Sequence, residues 1–320
     1  MKKRSHVKIT IFFVFIFLFT LTLSACGSGN SNAETKGTIK IGYQKNGTTL
    51  LLKEKKELEK ELNQDGYQVA WSEFSTASSI LEALNAGSID FANAGDAPSI
   101  MALSKGMDFK YIASEPSAPN TEGILVRGDS AIQSIKDLKG KKVAYNQASI
   151  AQYLLNQTLS SAGLTIDDVN SVILNPPDAS IAFEKGDVDA WVVWDPYLTV
   201  SEAKGNKIIS TAEGIVPFRS FYFSTSRIAE ENPEVVQKVV DHLNKAGKGI
   251  NENPQEAAKV LETNTKIPAE TWINVLKRKD SNAVIIDQQA IDDLTQQVKE
   301  LKRIQLIKKS IKIEDYIWQP

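Results

Sequence analysis

From residue 38 onward, short apolar runs alternate with longer helix-forming stretches. Thr38 to Tyr43 has the pattern of a buried strand. Thr48 to Leu62, rich in Leu, Lys and Glu, predicts a helix. Tyr67 to Phe74, "YQVAWSEF", alternates with period two and predicts a strand. Ser75 to Leu84 predicts a helix that stops at Gly87. Asp90 to Ala94 predicts a strand, and Asp96-Ala97-Pro98 the start of another helix. The pattern then restarts. "KKVAYN" predicts a strand, Ser149 to Ala162 a helix ended by Gly163, and "SVILN" a strand. Asp178 to Lys185 predicts a helix ended by Gly186, and Asp189 to Trp194 a strand leading into "DPY". Beyond Asn232 the chain turns mainly helical, with Pro233, Pro254 and Pro268 near helix starts. Alternating strands and helices predict parallel sheets covered by helices on both faces.

Two motifs recur in the same order. "KIGYQ", Lys40 to Gln44, returns as "KVAYN", Lys142 to Asn146. "ALNAGSIDFANAGDAP", Ala83 to Pro98, returns as "AFEKGDVDAWVVWDP", Ala182 to Pro196. The separations are close: 49 residues from Ile41 to Asp90, and 46 from Val143 to Asp189. Generic strand-helix-strand punctuation explains the glycines but not the shared order and spacing. The chain therefore reads as two related α/β lobes. At 320 residues, 42% hydrophobic and 24% charged, it is long enough for both and is not composed like a disordered chain.

Ligands of open α/β sheets bind beyond the carboxyl ends of the strands. The residues there are Gln44, Asn46, Gly47 and Thr48, then Gly95 and Asp96, then Ser149, then Trp194 and Asp195. Helix starts at Asn46-Gly47-Thr48 and Ala148-Ser149 present backbone N–H groups that suit a sulfonate, sulfate or nitrate. Thr48 and Ser149 read equally well as helix caps. Asp96 and Asp195 read as helix starts or as groups meeting a ligand donor. Arg219 reads as a cleft residue or as an inter-lobe ion pair.

The amino terminus belongs to a different class. "MKKRSHVK" is basic and carries no acid, and Ile9 to Leu23 is apolar apart from Thr10, Thr20 and Thr22. This is a secretory signal, too short for a comfortable membrane span. It ends in "LSAC", whose Cys26 is the chain's one cysteine. "LSAC" resembles the lipobox of bacterial lipoproteins, which implies cleavage before Cys26 and lipidation of its thiol, anchoring the protein on the extracytoplasmic face of a membrane; the alternative is an ordinary secretory signal with a chance Cys. "GSGNSNAETKG" then reads as a flexible tether. The expected division is 1–25 signal, 26–37 tether, 38–123 first lobe, 124–220 second lobe, and 221–320 a mostly helical return to the first.

Net charge is −2, which suggests no nucleic-acid partner. Catalysis finds little support. His6 lies in the signal and His242 in a helical, solvated region. No Cys/His metal spacing and no Walker-type phosphate loop occurs. The expectation is a binding protein without metal or cofactor, not an enzyme.

"IGYQKNGTTLLLKE", "LEALNAGSIDFANAGDAP", "DLKGKKVAY", "FEKGDVDAWVVWDPY" and the terminal "IWQP" closely resemble aliphatic sulfonate-binding proteins of ABC importers, in the sulfonate, taurine and nitrate group. The resemblance spans roughly Thr38 to Pro320. It implies an α/β, two-lobed periplasmic-binding-protein-like fold of the second type, with two inter-lobe crossover strands and a cleft between the lobes. It also implies a monomer that closes over a small anionic or zwitterionic ligand and docks on a permease with a cytoplasmic ATPase. On this basis Gln44, Gly47, Thr48, Gly95, Asp96, Ser149, Trp194 and Asp195 carry over as ligand residues. One segment departs: Gln147, Ala148 and Gln152 stand where relatives carry Lys, Gly and His. Ala94 stands where they often carry Thr. The departures bear on which ligand is bound: another sulfonate, taurine, nitrate, or a neutral sulfur compound. Pyrimidine synthases of similar fold depend on a His and a Cys-rich cluster that this chain lacks.

Overall fold

The computed structural model describes residues 36–45 and 47–320. The signal at 1–25, Cys26, nearly all of the tether and Asn46 lie outside the described residues.

Ten strands form two five-stranded sheets among the described residues. They are β1 (Gly37–Tyr43), β2 (Tyr67–Glu73), β3 (Phe91–Gly95), β4 (Lys110–Ser114), β5 (Glu122–Val126), β6 (Lys142–Tyr145), β7 (Asn170–Ile173), β8 (Ala190–Trp194), β9 (Lys207–Thr211) and β10 (Ser220–Ser224). The first sheet has the order β2-β1-β3-β10-β4 and the second β7-β6-β8-β5-β9. In each sheet the first three strands are parallel and the fourth runs antiparallel to both neighbours. That fourth strand arrives from the other half of the chain. β5 enters the second sheet after residues 115–121, and β10 enters the first after 212–219. Gly37, expected in the tether, is already the first residue of β1.

The repeated sequence motifs form repeated bonds. Asp90 donates its backbone N–H to the Lys40 carbonyl at 2.7 Å, and its Oδ2 accepts the Lys40 N–H at 2.9 Å. Asp189 does the same with Lys142, at 2.9 and 2.8 Å. In both lobes the aspartate clips the loop before the third strand to the first strand. The tiny residue of each motif also has a cause. A Cβ on Gly42 would lie 2.5 Å from Ile89 Cδ1 and 2.9 Å from Ile80 Cγ1.

Helices cover both sheets: α1 (Gly47–Lys55), α2 (Glu57–Gln64), α3 (Ala77–Asn85), α4 (Asp96–Ser104), α5 (Ile150–Ser161), α6 (Pro176–Lys185), α7 (Tyr197–Ala203), α8 (Ser226–Glu231), α9 (Pro233–Glu252), α10 (Pro254–Thr265), α11 (Ala269–Lys277) and α12 (Gln288–Arg303). The single helix expected over 48–62 is two. Lys56 takes φ 55°, a left-handed conformation that ends α1 and re-aims α2. The reason is packing. Leu50 and Leu51 of α1 pack with Trp272 and Leu276 of α11. Leu58 and Leu62 of α2 pack instead with α9 and the first sheet. Leu52 of α1 joins that second cluster as well. α6 starts two residues before the expected Asp178, because Asn175 caps it by accepting the Asp178 N–H at 3.0 Å. His242, expected in solvent, is mostly buried and bonds Glu61 at 2.8 Å.

One apolar cluster is continuous across both halves. It joins α3, α4 and α12 over the first sheet to α5 over the second. The outer face of the second sheet packs on α6 and α7. Among the described residues no helix is long and apolar enough to cross a membrane.

The two aspartate clips differ in burial: Asp90 is buried and Asp189 half-buried. Removing the Asp90 carboxyl leaves the Lys40 N–H without its part-buried acceptor. Asp90→Ala is expected to cost about 2 kcal/mol of unfolding free energy and Asp189→Ala about 1 kcal/mol. Urea denaturation of both variants checks the order.

Candidate functional site

Between the two sheets lies a cavity of about 70 Å³, several times the roughly 10–15 Å³ that one water needs. Its polar wall begins at α1. Gly47 opens that helix at φ 46°, in the left-handed region. Gly47, Thr48 and Thr49, the first turn of α1, line the cavity, and first-turn amides have no acceptor within their own helix. Beside them Asn93 projects from β3, nine-tenths buried, and its Oδ1 has no hydrogen-bond partner.

Glu115, the first residue of the first crossing, anchors this wall and is 2% exposed. Its Oε1 accepts from the Thr48 hydroxyl and from the Tyr222 hydroxyl of β10, each at 2.6 Å. Its Oε2 accepts from Lys279 Nζ at 2.6 Å. Burial and the Glu115 charge hold the Tyr222 phenol well above its ordinary pKa, so it stays a donor.

Lys279 sits in the loop after α11, and α9 fixes that loop. Ser281 donates its N–H to Asn251 Oδ1 at 3.1 Å. Asn244 donates to Asn282 Oδ1 at 2.9 Å and to the Ala283 carbonyl at 2.8 Å. A Cβ on Gly247 would lie 1.9 Å from the Ser281 oxygen, so only glycine lets the loop come this close.

The second lobe contributes Trp194 and Asp195 at the end of β8. Asp195 Oδ1 accepts from the Thr199 N–H at 2.9 Å and the Thr199 hydroxyl at 2.7 Å, which caps the start of α7. Its Oδ2 has no hydrogen-bond partner, with Arg278 Nη1 at 3.9 Å. Burial pushes this carboxyl up to about 6, against the Thr199 bonds and the Arg278 charge. Phe218, Trp272, Val275 and Leu276 form the apolar wall.

Of the residues singled out in the sequence, Gly47, Thr48, Trp194 and Asp195 border this cavity. Others hold the framework. Gln44 donates to the Asn93 carbonyl at 3.4 Å, and Gly95 caps α4. Asp96 is wholly buried. Its Oδ1 accepts from the Ala97 N–H at 2.7 Å, and its Oδ2 from the Arg219 N–H at 3.0 Å and Gln297 at 2.7 Å. Burial pushes Asp96 up to about 6 as well. The Arg219 guanidinium pairs with Asp293 of α12 at 2.7 Å and is not a cavity wall.

Ser149 caps α5. It accepts the Gln152 N–H at 3.4 Å and donates to the Asn146 carbonyl at 2.6 Å. Gln152 reaches back to accept the Ala148 N–H at 2.8 Å. Ala148 itself takes φ 52°, where a side chain is strained. This helix start is filled by its own side chains.

Sequence reading missed Thr49, Asn93, Glu115, Tyr222 and Lys279. Asn93 left a signal: it stands at the position of the repeat that Val192 fills in the second lobe, a polar residue in an apolar strand pattern. Thr49 stands beside Thr48 at the same helix start. Glu115, Tyr222 and Lys279 left none, since the cavity joins segments far apart in sequence.

A family model described as NMT1/THI5 like matches residues 63–257. The chain belongs to this family. A relative from Escherichia coli (strain K12), named for aliphatic sulfonate binding, is 33% identical over 285 residues, covering 88% of this chain and 89% of its own. A Bacillus subtilis (strain 168) relative with the same name is 32% identical, covering 87% of this chain and 85% of its own. The alkanesulfonate-binding protein of Xanthomonas axonopodis pv. citri, solved bound to MOPS, superimposes with a TM-score of 0.82. It shares 30% identity and covers 88% of this chain and 98% of its own. The fold is that of the periplasmic binding proteins in this family.

The raised carboxyl of Asp195 makes folding depend on pH. An Asp whose folded pKa lies above its unfolded value takes up a proton on folding between about pH 4 and 6, so stability falls as pH rises through that window. Asp195→Asn keeps the acceptor for Thr199 and removes the titration. Urea unfolding from pH 4 to 7 is expected to show the wild type losing on the order of 2–3 kcal/mol more than this variant.

Proposed function

We propose that the chain is an extracytoplasmic substrate-binding lipoprotein of an ABC importer. It captures an aliphatic sulfonate, a sulfur source, between its lobes and hands it to a membrane permease served by a cytoplasmic ATPase. One observation carries this reading: helix-start amides, an ammonium and an unpartnered buried amide converge on one small cavity with an apolar wall. A sulfonate has three oxygens to accept such donors and a short chain to lie against Trp194 and Trp272. The names of the sulfonate-binding relatives support the same ligand class and a binding role without turnover. The two crossings support closure of the lobes about a hinge, and the protein acts as a monomer.

A second reading is favoured by Asp195. Its unbonded oxygen at the cavity suits a ligand ammonium, as in taurine.

Calorimetry of the full-length protein with ethanesulfonate, taurine, sulfate and nitrate tests both. One-to-one binding of ethanesulfonate is expected. Absence of binding to all four overturns the reading. If Asp195 meets an ammonium, Asp195→Asn weakens taurine binding and leaves ethanesulfonate unchanged.

The membrane anchor rests on "LSAC". In cells fed an alkyne-tagged palmitate, the protein is expected to carry the label and the Cys26→Ser variant to lack it. An unlabelled wild type removes the anchor from the proposal.

A further inference from the structure

The geometry points to Lys279 as the cation that contacts the bound anion, with Glu115 as the internal counter-ion it shares with that ligand. This rests on the sulfonate reading above. Among the described residues, Lys279 is the one Lys or Arg on the cavity wall. Its Nζ lies 3.4 Å from where a Cβ on Gly47 would stand, directly beside the first turn of α1. An oxygen that accepts from the Gly47–Thr49 amides therefore lies within reach of the ammonium.

Asn93 points to a ligand independently of the helix start. It is nine-tenths buried with an unbonded amide oxygen at the same cavity, and turning that amide presents two further donors. The ammonium also has donors to spare. Glu115 occupies one of its three N–H groups at 2.6 Å. The start of α5 offers no competing cation, because Gln147 is neutral and Ser149 and Gln152 bond the local backbone.

The bonds that fix the Lys279 loop to α9 make the ammonium a placed group rather than a mobile surface charge. Glu115 sets its strength. The buried Glu115 carboxylate offsets the ammonium's positive charge in the ligand-free cavity. An arriving sulfonate adds to that pair instead of replacing it.

Lys279 could also act only by cancelling the Glu115 charge, and a double-mutant cycle separates the two roles. Ethanesulfonate binding is measured by calorimetry for wild type, Lys279→Met, Glu115→Gln and the double variant. Glu115→Gln keeps an acceptor for Thr48 and Tyr222 while removing the charge. A direct contact predicts that Lys279→Met weakens binding roughly 10- to 100-fold even in the Glu115→Gln background. A double variant that binds as tightly as Glu115→Gln alone overturns the contact.

Should the double variant fail to fold, Lys279→Arg and Lys279→Gln decide. Arg is expected to keep affinity within about threefold and Gln to lose roughly tenfold. Equal affinity of the two overturns the proposal. A wild type that binds no sulfonate overturns the functional reading and this assignment together. A wild type that binds, with Lys279→Met costing nothing in the Glu115→Gln background, overturns the assignment of Lys279 alone.

Discussion

A carboxylate taken out of water must be met by donors, or the fold loses several kcal/mol. Glu115 is a buried carboxylate that is so met. Its donors come from Thr48, Tyr222 and Lys279, which lie 67, 107 and 164 residues away in the chain. Its backbone ties in further, donating to the Ser220 carbonyl at 2.9 Å and accepting from Arg219 at 3.3 Å. The start of α1, the strand β10, both crossings and the loop after α11 are tied together by this one residue. The cavity lies among them, Asn93 of β3 and the end of β8.

The two halves repeat each other in framework and diverge at the cavity. Asp96 and Asp195 occupy equivalent positions, and burial raises both carboxyls. Asp96 has both oxygens bonded and locks the crossing to α12. Asp195 keeps one oxygen unbonded at the cavity. Gly95 of the first lobe corresponds to Trp194 of the second, and Asn93 to Val192. The first lobe therefore supplies the Asn93 amide and the second the Trp194 ring, from neighbouring places in the same repeated unit.

The doubled unit was legible because its key contact is local in pattern: an aspartate at a fixed distance from a Lys-β-strand motif, bonding backbone to backbone. The helix starts near Thr48, Ser149 and Asp195 were legible for a similar reason, since helix starts are marked by neighbours in sequence. What a helix start then faces is set by tertiary packing. Thr48 opens on the cavity while Ser149 is closed off by Gln152, and nothing local distinguishes them. The break at Lys56 was hidden because either half of "TLLLKEKKELEKEL" is a good helix. The different clusters that Leu51 and Leu58 join exist only in the folded chain. Glu115 and Lys279 look like ordinary surface charges until their 164-residue separation is closed.

That separation also orders events in time. All five strands of the second sheet lie between residues 122 and 211, so that sheet completes from contiguous chain. The first sheet waits for β10, at 220–224. Contacts between distant segments form late, because the loop between them must first be closed at an entropic cost. Glu115 acquires its last donor only once residue 279 has joined the fold. A chain emerging amino end first thus holds every strand of both sheets before it holds a complete cavity. The cavity belongs to the finished chain.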